Sequence, residues 1–472
     1  LLRSKDSHPP LSSPLPPAPY PAHLAGGLSI DGTLFSGNDA ANCGGMQVIV
    51  GGARTGGQHP EVAIALAAVQ SNVARAGAGV CVQMVGQCSS SGVTGVTGRC
   101  AGPHVHIRDS LFELNEGESG YCGALCLYGP VNATIEGTDF NRNGARNLAG
   151  AAIHAEHDAA GRGAAAGYGS LRLRRGALFQ NVGGYDVKGG AMMVVGNFRA
   201  DVEDVEVKGN FGRSGAGLLA DRGAEISVRF AALSSNFAAE TGGAVHCGAG
   251  SRVMVSSSTI SGNNAKYGAG LFAESGCVLR LSNSQVSGNN GAQGTGLTAD
   301  ASSEVDVVNC VFEGNAAQQV GGAIAYRSYD AVWGAQEAST DADTSLIDGA
   351  IKSFGVRVEG SIIRNNKATA GGGVYADAQA GQILLLYSEV SDNSASRDTA
   401  GGAARGGGMS VAGRTLAVVE GTVFEGNAAS TGAGLHVRNN DANDAAYSPL
   451  PPPPVFFAGT PFSGTGAAGR GG

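Results

Sequence analysis

The chain of 472 residues carries 78 glycines, yet only 15% of its residues are charged, 6% are aromatic and one is Trp. Glycine does not recur at every third position, which excludes collagen, and the 42% apolar content must build a core from small and β-branched side chains. A net charge of −8, with no basic block longer than the LRLRR stretch ending at Arg175, excludes a phosphate-tracking nucleic-acid surface, and no run of 18 apolar residues spans a membrane as a helix.

Residues 1–23 hold seven prolines between Pro9 and Pro21 and read as an extended linker. They begin at Leu1 without a basic-then-apolar signal pattern, and the chain reads as a piece of a longer protein. From residue 24 to about 440 one unit recurs: an apolar residue, two small or polar ones, Asn, and then a glycine pair leading into an aliphatic residue. It is present at Asn38, Asn72, Asn115 and Asn143, and more loosely at Asn181. It is clearest at Asn210, Asn236, Asn263, Asn289 and Asn315, spaced 26 or 27 residues apart and preceded three places earlier by Val207, Leu233, Ile260, Val286 and Phe312. It returns at Asn365, Asn393 and Asn427.

Between each glycine pair and the next Asn lies a short alternating segment, such as Ile226/Val228, Val253/Val255, Leu279/Leu281 and Val305/Val307, which predicts a strand with one buried face. Only Glu61–Val73 has a pattern also compatible with a helix. Longer gaps mark insertions on the surface of a repeat fold. One region carries cysteines, one contains HAEHDAAGRGAAAGYGS, and the largest is an acidic loop over Tyr329–Asp348 with Trp333. A second Pro-rich segment covers 441–460, and 461–472 opens a further coil at Phe462–Thr465.

A period near 26 with Gly/Asn turns predicts an all-β solenoid, a parallel β-helix of about thirteen coils with loop insertions. Coils stacked at ~4.8 Å give a rod of roughly 60 Å. Equivalent residues then form columns: aliphatics inward, Asn side chains bonded in a ladder, and Asn itself placed at the left-handed corner.

The pairing of apolar-x-x-Asn with Gly-Gly-Ala-aliphatic, as in Phe312–Asn315 with Gly321–Ile324 and Phe424–Asn427 with Gly432–Leu435, resembles the repeats of the polymorphic outer-membrane protein (Pmp) family. The resemblance implies a right-handed parallel β-helix of the pectin-lyase-like class, exposed outside the cell, whose bacterial members are autotransported adhesins. The membrane barrel of those members is not legible in this sequence.

Such helices also house polysaccharide lyases and hydrolases, which need converging carboxylates. Asp201, Glu203, Asp204 and Glu206 are clustered, but alternation with Val202, Val205 and Val207 makes them a solvated face. His154, Glu156, His157 and Asp158 are read as solvated loop residues, with a metal site as the alternative. Trp333, Asp341 and Asp343 mark a candidate binding loop, and Asp341, Asp343 and Asp348 offer loose calcium binding as an alternative without the spaced Gly and terminal Glu of a dedicated calcium loop. Of nine cysteines, six precede residue 130 and suggest disulfides, with zinc as the alternative for Cys81, Cys88, Cys100, Cys122 and Cys126. Cys247, Cys277 and Cys310 are expected as buried free thiols. Asn132-Ala-Thr134 is one glycosylation sequon.

The expectation is a non-enzymatic extracellular or cell-surface rod, adhesin or scaffold, with an extracellular protein or carbohydrate partner. It carries no catalytic residue, metal or cofactor. A carbohydrate-active enzyme is the runner-up, and a structural wall protein differs from an adhesin only in its partner.

Overall fold

A computed structural model describes residues 28–51, 61–75, 77–85, 102–118, 122–146, 150–157, 168–184, 188–328, 355–378, 381–397, 403–413, 415–438, 455–464 and 466–467. The described residues contain strands and no helix, arranged as four parallel sheets of 14, 14, 14 and 13 strands. Each coil contributes one strand to each sheet in turn, and every strand pairs with the equivalent strands one coil below and above. Thirteen coils are complete through all four sheets, and a fourteenth begins at Val455–Ala458 and continues through Phe462–Ser463. The parallel β-helix expected from the repeat is the fold.

One coil shows why the sequence folds this way. Glu225–Arg229 lies in the first sheet, with Ile226 and Val228 fully buried on the axis side. Ala232–Ser234 lies in the second sheet and buries Leu233, Phe237–Thr241 lies in the third, and Val245–Cys247 lies in the fourth. In the register, Ile226 stands over Val253 and Leu233 over Ile260, so the inward side chains form continuous columns. Those columns belong to one apolar core that runs from Val48 to Phe424. The glycine pair serves close approach: a Cβ on Gly243 or Gly270 would collide with the carbonyl of Ala269 or Gly296 in the next coil.

Glu61–Val73 is not helical. It supplies the strands Glu61–Ala65 and Ala68–Gln70 and the first residue of Val73–Ala74, separated by left-handed corners at Leu66 and Ser71. Alternation at Val62 and Ile64 set the strand, and the apparent helical period came from corner residues lying between short strands.

The Asn ladder is continuous over thirteen residues, from Asn38 through Asn72, Asn115, Asn143, Asn181, Asn210, Asn236, Asn263, Asn289, Asn315, Asn366 and Asn393 to Asn427. At each step the side-chain amide donates to the Oδ1 of the Asn one coil on, at 2.8–3.1 Å. Two expectations are corrected here. The ladder residue in its coil is Asn366, not Asn365. The left-handed residue is the one before the ladder Asn: Gly209, Ser235, Gly262, Gly288, Gly314, Asn365, Asp392 and Gly426 all have φ between 53° and 66°. The ladder Asn itself keeps negative φ, because its side chain must point inward to cap the backbone of the turn.

A second ladder went unread in the sequence. A second left-handed corner precedes the second sheet, at Phe230, Ser257, Asn283, Asn309, Gly360, Tyr387 and Gly421 among others. The residue after it is small and buried: Ser258, Ser284, Cys310, Ser361, Ser388 and Thr422. Each hydroxyl donates to the carbonyl two residues back, and Ser258, Ser284, Ser361, Ser388 and Thr422 accept the backbone N–H of the preceding coil. The signal was a Ser, Thr or Cys five places before the ladder Asn, unbroken from Ser258 to Thr422 and replaced by Ala67, Gly176, Val205 and Ala231 in earlier coils.

Candidate functional site

The insertions are not scattered. Between the fourth sheet and the next first-sheet strand, the separations Gly51 to Glu61, Val85 to His104, His157 to Gly169, Arg327 to Gly355 and Val437 to Val455 exceed the four residues that part Cys247 from Arg252. Between the third sheet and the fourth, Gly117 to Leu125, Ala145 to Ile153, Gly183 to Met192 and Ala395 to Met409 exceed the three residues that part Thr241 from Val245. Two columns of corners thus flank the outer side of the fourth sheet. The first-sheet outer face, by contrast, is a solvated lattice of charge. Arg172 faces Asp201, Arg174 and Arg229 face Glu203, and Arg199 and Arg252 both reach Glu225. Glu206 pairs with Lys208. Asp201, Glu203 and Glu206 therefore behave as the solvated face expected, and exposed pairs of this kind contribute little stability each. Asp204 occupies a left-handed corner.

On the fourth sheet the outward residues form a column, Cys81, Cys126, His154, Met193, Leu219, His246, Phe272, Thr298, Ala325, Tyr375, Ser410 and His436, by strand register. Through Ser410 all are at least nine-tenths buried. They are covered because the chain turns at left-handed glycines such as Gly242 and Gly268, which folds the end of the third sheet against them. A facing column runs through Ser214, Thr241, Tyr267, Gln293, Val320, Ala370, Arg405 and Thr431. Residues five apart therefore meet across the angle. Tyr267 packs on Phe272, Thr241 Oγ1 lies 2.9 Å from His246 Nδ1, and Thr298 Oγ1 donates to Gln293 O at 3.3 Å.

Two places further along each fourth-sheet strand lies a more accessible row, including Tyr128, Glu156, Asp221, Glu274, Arg327, Asp377 and Arg438. Its charges are tied to neighbours. Glu156 Oε2 lies 3.1 Å from His154 Nε2, and Arg222 Nη2 donates to Glu156 Oε1 at 3.0 Å. Glu274 Oε2 is 3.3 Å from His246 Nε2, and Lys188 Nζ lies 3.7 Å from Asp221. Tyr375 Oη donates to Asp377 Oδ2 at 3.0 Å. Hydrogen bonding from His154 holds Glu156 below the usual carboxylate range, and His246 does the same for Glu274.

The chain Ser214–Thr241–His246–Glu274 has the order of a nucleophile, base and orienting acid, with Thr241 Oγ1 donating to Ser214 Oγ at 2.8 Å. Acyl transfer also needs free N–H groups facing an oxyanion. Here the N–H groups of Gly242 and Gly243 donate to Tyr267 O and Gly268 O, and that of Gly215 donates to Thr241 O. The hydrogen-bond chain therefore links the third and fourth sheets.

His154 and Glu156 thus sit on the fourth sheet, His154 buried and not solvated, while Asp158 lies outside the described residues. Among the described residues no group of three His, Cys, Asp or Glu is placed to hold a metal. Trp333, Asp341, Asp343 and Asp348 lie outside the described residues, as do Cys88 and Cys100. Cys43 bonds Cys81 and Cys122 bonds Cys126, in line with the disulfide reading. The expectation for the later cysteines is corrected, since Cys247 and Cys277 form a disulfide. Cys247 ends a fourth-sheet strand and Cys277 precedes the first-sheet strand one coil on, so the two meet across a corner although thirty residues apart. Cys310 is a free buried thiol, as expected.

No helix among the described residues is long and apolar enough to cross a membrane. A search of the curated proteins finds no match. Residues 189–332, the stretch of most regular period, match the family model of the right handed beta helix region, so that sequence similarity and the stacked sheets identify the same architecture.

Proposed function

We propose that this chain is a non-catalytic extracellular rod, an adhesin or surface scaffold with Pmp-like repeats, that binds an extended carbohydrate along the accessible row of the fourth sheet. The observation that carries the reading is the state of that row's carboxylates. Glycoside hydrolysis needs one carboxyl group held protonated beside an ionised one. Glu156 and Glu274 move the opposite way, toward the ionised state, and each lies within hydrogen-bond reach of an imidazole. Such groups hold a hydroxyl-rich ligand by accepting hydrogen bonds and release no proton to a leaving group. One coil rises ~4.8 Å, close to the length of one pyranose ring, so the row can meet a linear polymer in register. The three disulfides among the described residues support an oxidising compartment outside the cell.

The test is to incubate the full chain with uronic-acid and neutral polysaccharides and to follow unsaturated ends, reducing ends and retention of the chain on the polymer. Retention without new ends is the expected result. Release of either kind of end, abolished by Glu156→Gln or Glu274→Gln, overturns the reading in favour of a lyase or hydrolase.

A further inference from the structure

Across the angle between the third and fourth sheets, facing residues satisfy each other in the central coils, as Thr241 and His246 do. Not every facing pair does. Arg405 stands opposite Ser410, at the same five-residue spacing, and neither satisfies the other. Ser410 is 1% exposed, points outward between Tyr375 and His436, and its Oγ has no hydrogen-bond partner. Arg405 is half-buried and makes no ion pair or side-chain hydrogen bond among the described residues. Its neighbours in the column are Ala370 one coil earlier and Thr431 one coil later, so no carboxylate stands beside the guanidinium in the column. His436, beside Ser410 in the next coil, has its imidazole pushed toward the neutral form by burial and by the charges of Arg405 and Arg438. Two guanidinium groups therefore bear on one small region. The carboxylate of Asp377 lies in the same accessible row as Arg438, in the coil before Ser410, and accepts from Tyr375 Oη.

A buried hydroxyl left unpaired costs more than a made hydrogen bond returns, so Ser410 Oγ calls for an acceptor. A hydroxyl and a guanidinium with nothing to donate to, set beside a neutral imidazole, together match an oxyanion with several acceptor oxygens. We propose that Arg405, Ser410 and His436, with Arg438, form a binding site for the anionic group of an acidic sugar, a carboxylate or a sulfate ester. This rests on the reading of the fourth sheet as a carbohydrate track and names the class of sugar at its C-terminal end.

The experiment measures binding of the full chain to polygalacturonate, dextran sulfate and neutral dextran by calorimetry at two salt concentrations. The variants are Ser410→Ala, Arg405→Gln and, as a control on the first sheet, Arg280→Gln. The expected result is tighter binding to one or both anionic polymers than to dextran, weakened about tenfold by Ser410→Ala and by Arg405→Gln. Arg280→Gln leaves it unchanged, and Arg405→Gln also flattens the salt dependence. The preferred anionic polymer tells carboxylate from sulfate. A site filled only by water predicts that Ser410→Ala keeps full affinity and raises thermal stability slightly, and that result overturns the proposal. Equal binding to all three polymers, unaffected by the variants, overturns this proposal and leaves the carbohydrate reading standing. Binding to none of them overturns both.

Discussion

Removing Asn263 tests the ladder at its most regular point. Its Nδ2 donates to Leu233 O and to Asn289 Oδ1, both at 3.0 Å. Its Oδ1 accepts the backbone N–H of Asn236 at 2.9 Å and the side-chain amide of Asn236 at 3.0 Å. Asn263→Ala deletes four hydrogen bonds in a region where Asn236 is 0% and Asn263 1% exposed. Asn236 Nδ2 keeps Val207 O, and Asn289 Oδ1 keeps the backbone N–H of Asn263. The backbone N–H of Asn236 is left with no acceptor in a buried turn. One orphaned donor plus the lost amide bonds amounts to about 2–4 kcal/mol. Asn264, next along the chain, begins the third-sheet strand with its side chain half-buried and without a hydrogen bond, so Asn264→Ala falls within about 0.5 kcal/mol of the parent. Asn289→Ala repeats the ladder cost, and the double variant falls short of the sum, since the bond between Asn263 and Asn289 is lost once. Urea denaturation followed by far-ultraviolet circular dichroism reads these differences, with a mainly strand spectrum at the start. Equal destabilisation by Asn263→Ala and Asn264→Ala refutes the ladder as the source of corner stability.

Two further expectations follow from single positions. Burial pushes the Cys310 thiol up to about 11, so it resists alkylation in the native chain and reacts only on unfolding, as mass spectrometry of iodoacetamide-treated protein reads directly. Cys310→Ser, which restores the hydroxyl ladder between Ser284 and Ser361, changes stability by less than about 1 kcal/mol, whereas Cys310→Val loses the bond to Val308 O and is the worse variant. Glu156 has its folded-state pKa lowered, so its contribution is present above the unfolded carboxylate value of 4.5 and is lost as pH falls through the folded value. Glu156→Gln should flatten the dependence of the unfolding midpoint on pH below that point; an unchanged acid limb counts against the pairing with His154.

The fold was legible because stacking turns a one-dimensional repeat into columns. Val253 over Leu279 and Asn236 over Asn263 need only a spacing and a residue type to be found. The misreadings arise where a column is specified by something other than identity. The left-handed position before each ladder Asn is filled by Gly, Ser, Asn, Asp, Leu, Arg or Gln, because stacking over-determines the backbone there and Leu114 or Arg142 is held at positive φ by its coil. With Asn at both 365 and 366, only the bond to Asn315 shows which one is in the ladder. Cys247 and Cys277 were hidden for the opposite reason: their separation equals one coil plus a corner, which looks remote in sequence and is adjacent in space.

The same logic explains why function was harder to read than fold. A ladder residue must repeat to work, so it announces itself; a ligand site is a place where the repeat fails. Along the facing columns of the third and fourth sheets the pairs change from Ser214/Leu219 to Thr241/His246, Tyr267/Phe272, Gln293/Thr298 and Arg405/Ser410. Each pair obeys one spacing and shares no residue type, so no periodic search detects it. Their variety sits between the two corners that carry the insertions, whereas the first-sheet face repeats a single pattern of Arg against carboxylate over Arg172–Glu225. In a rod whose scaffold is uniform, a column that varies from coil to coil changes the support under the accessible row beside it, which favours the proposal that recognition lies on the fourth sheet.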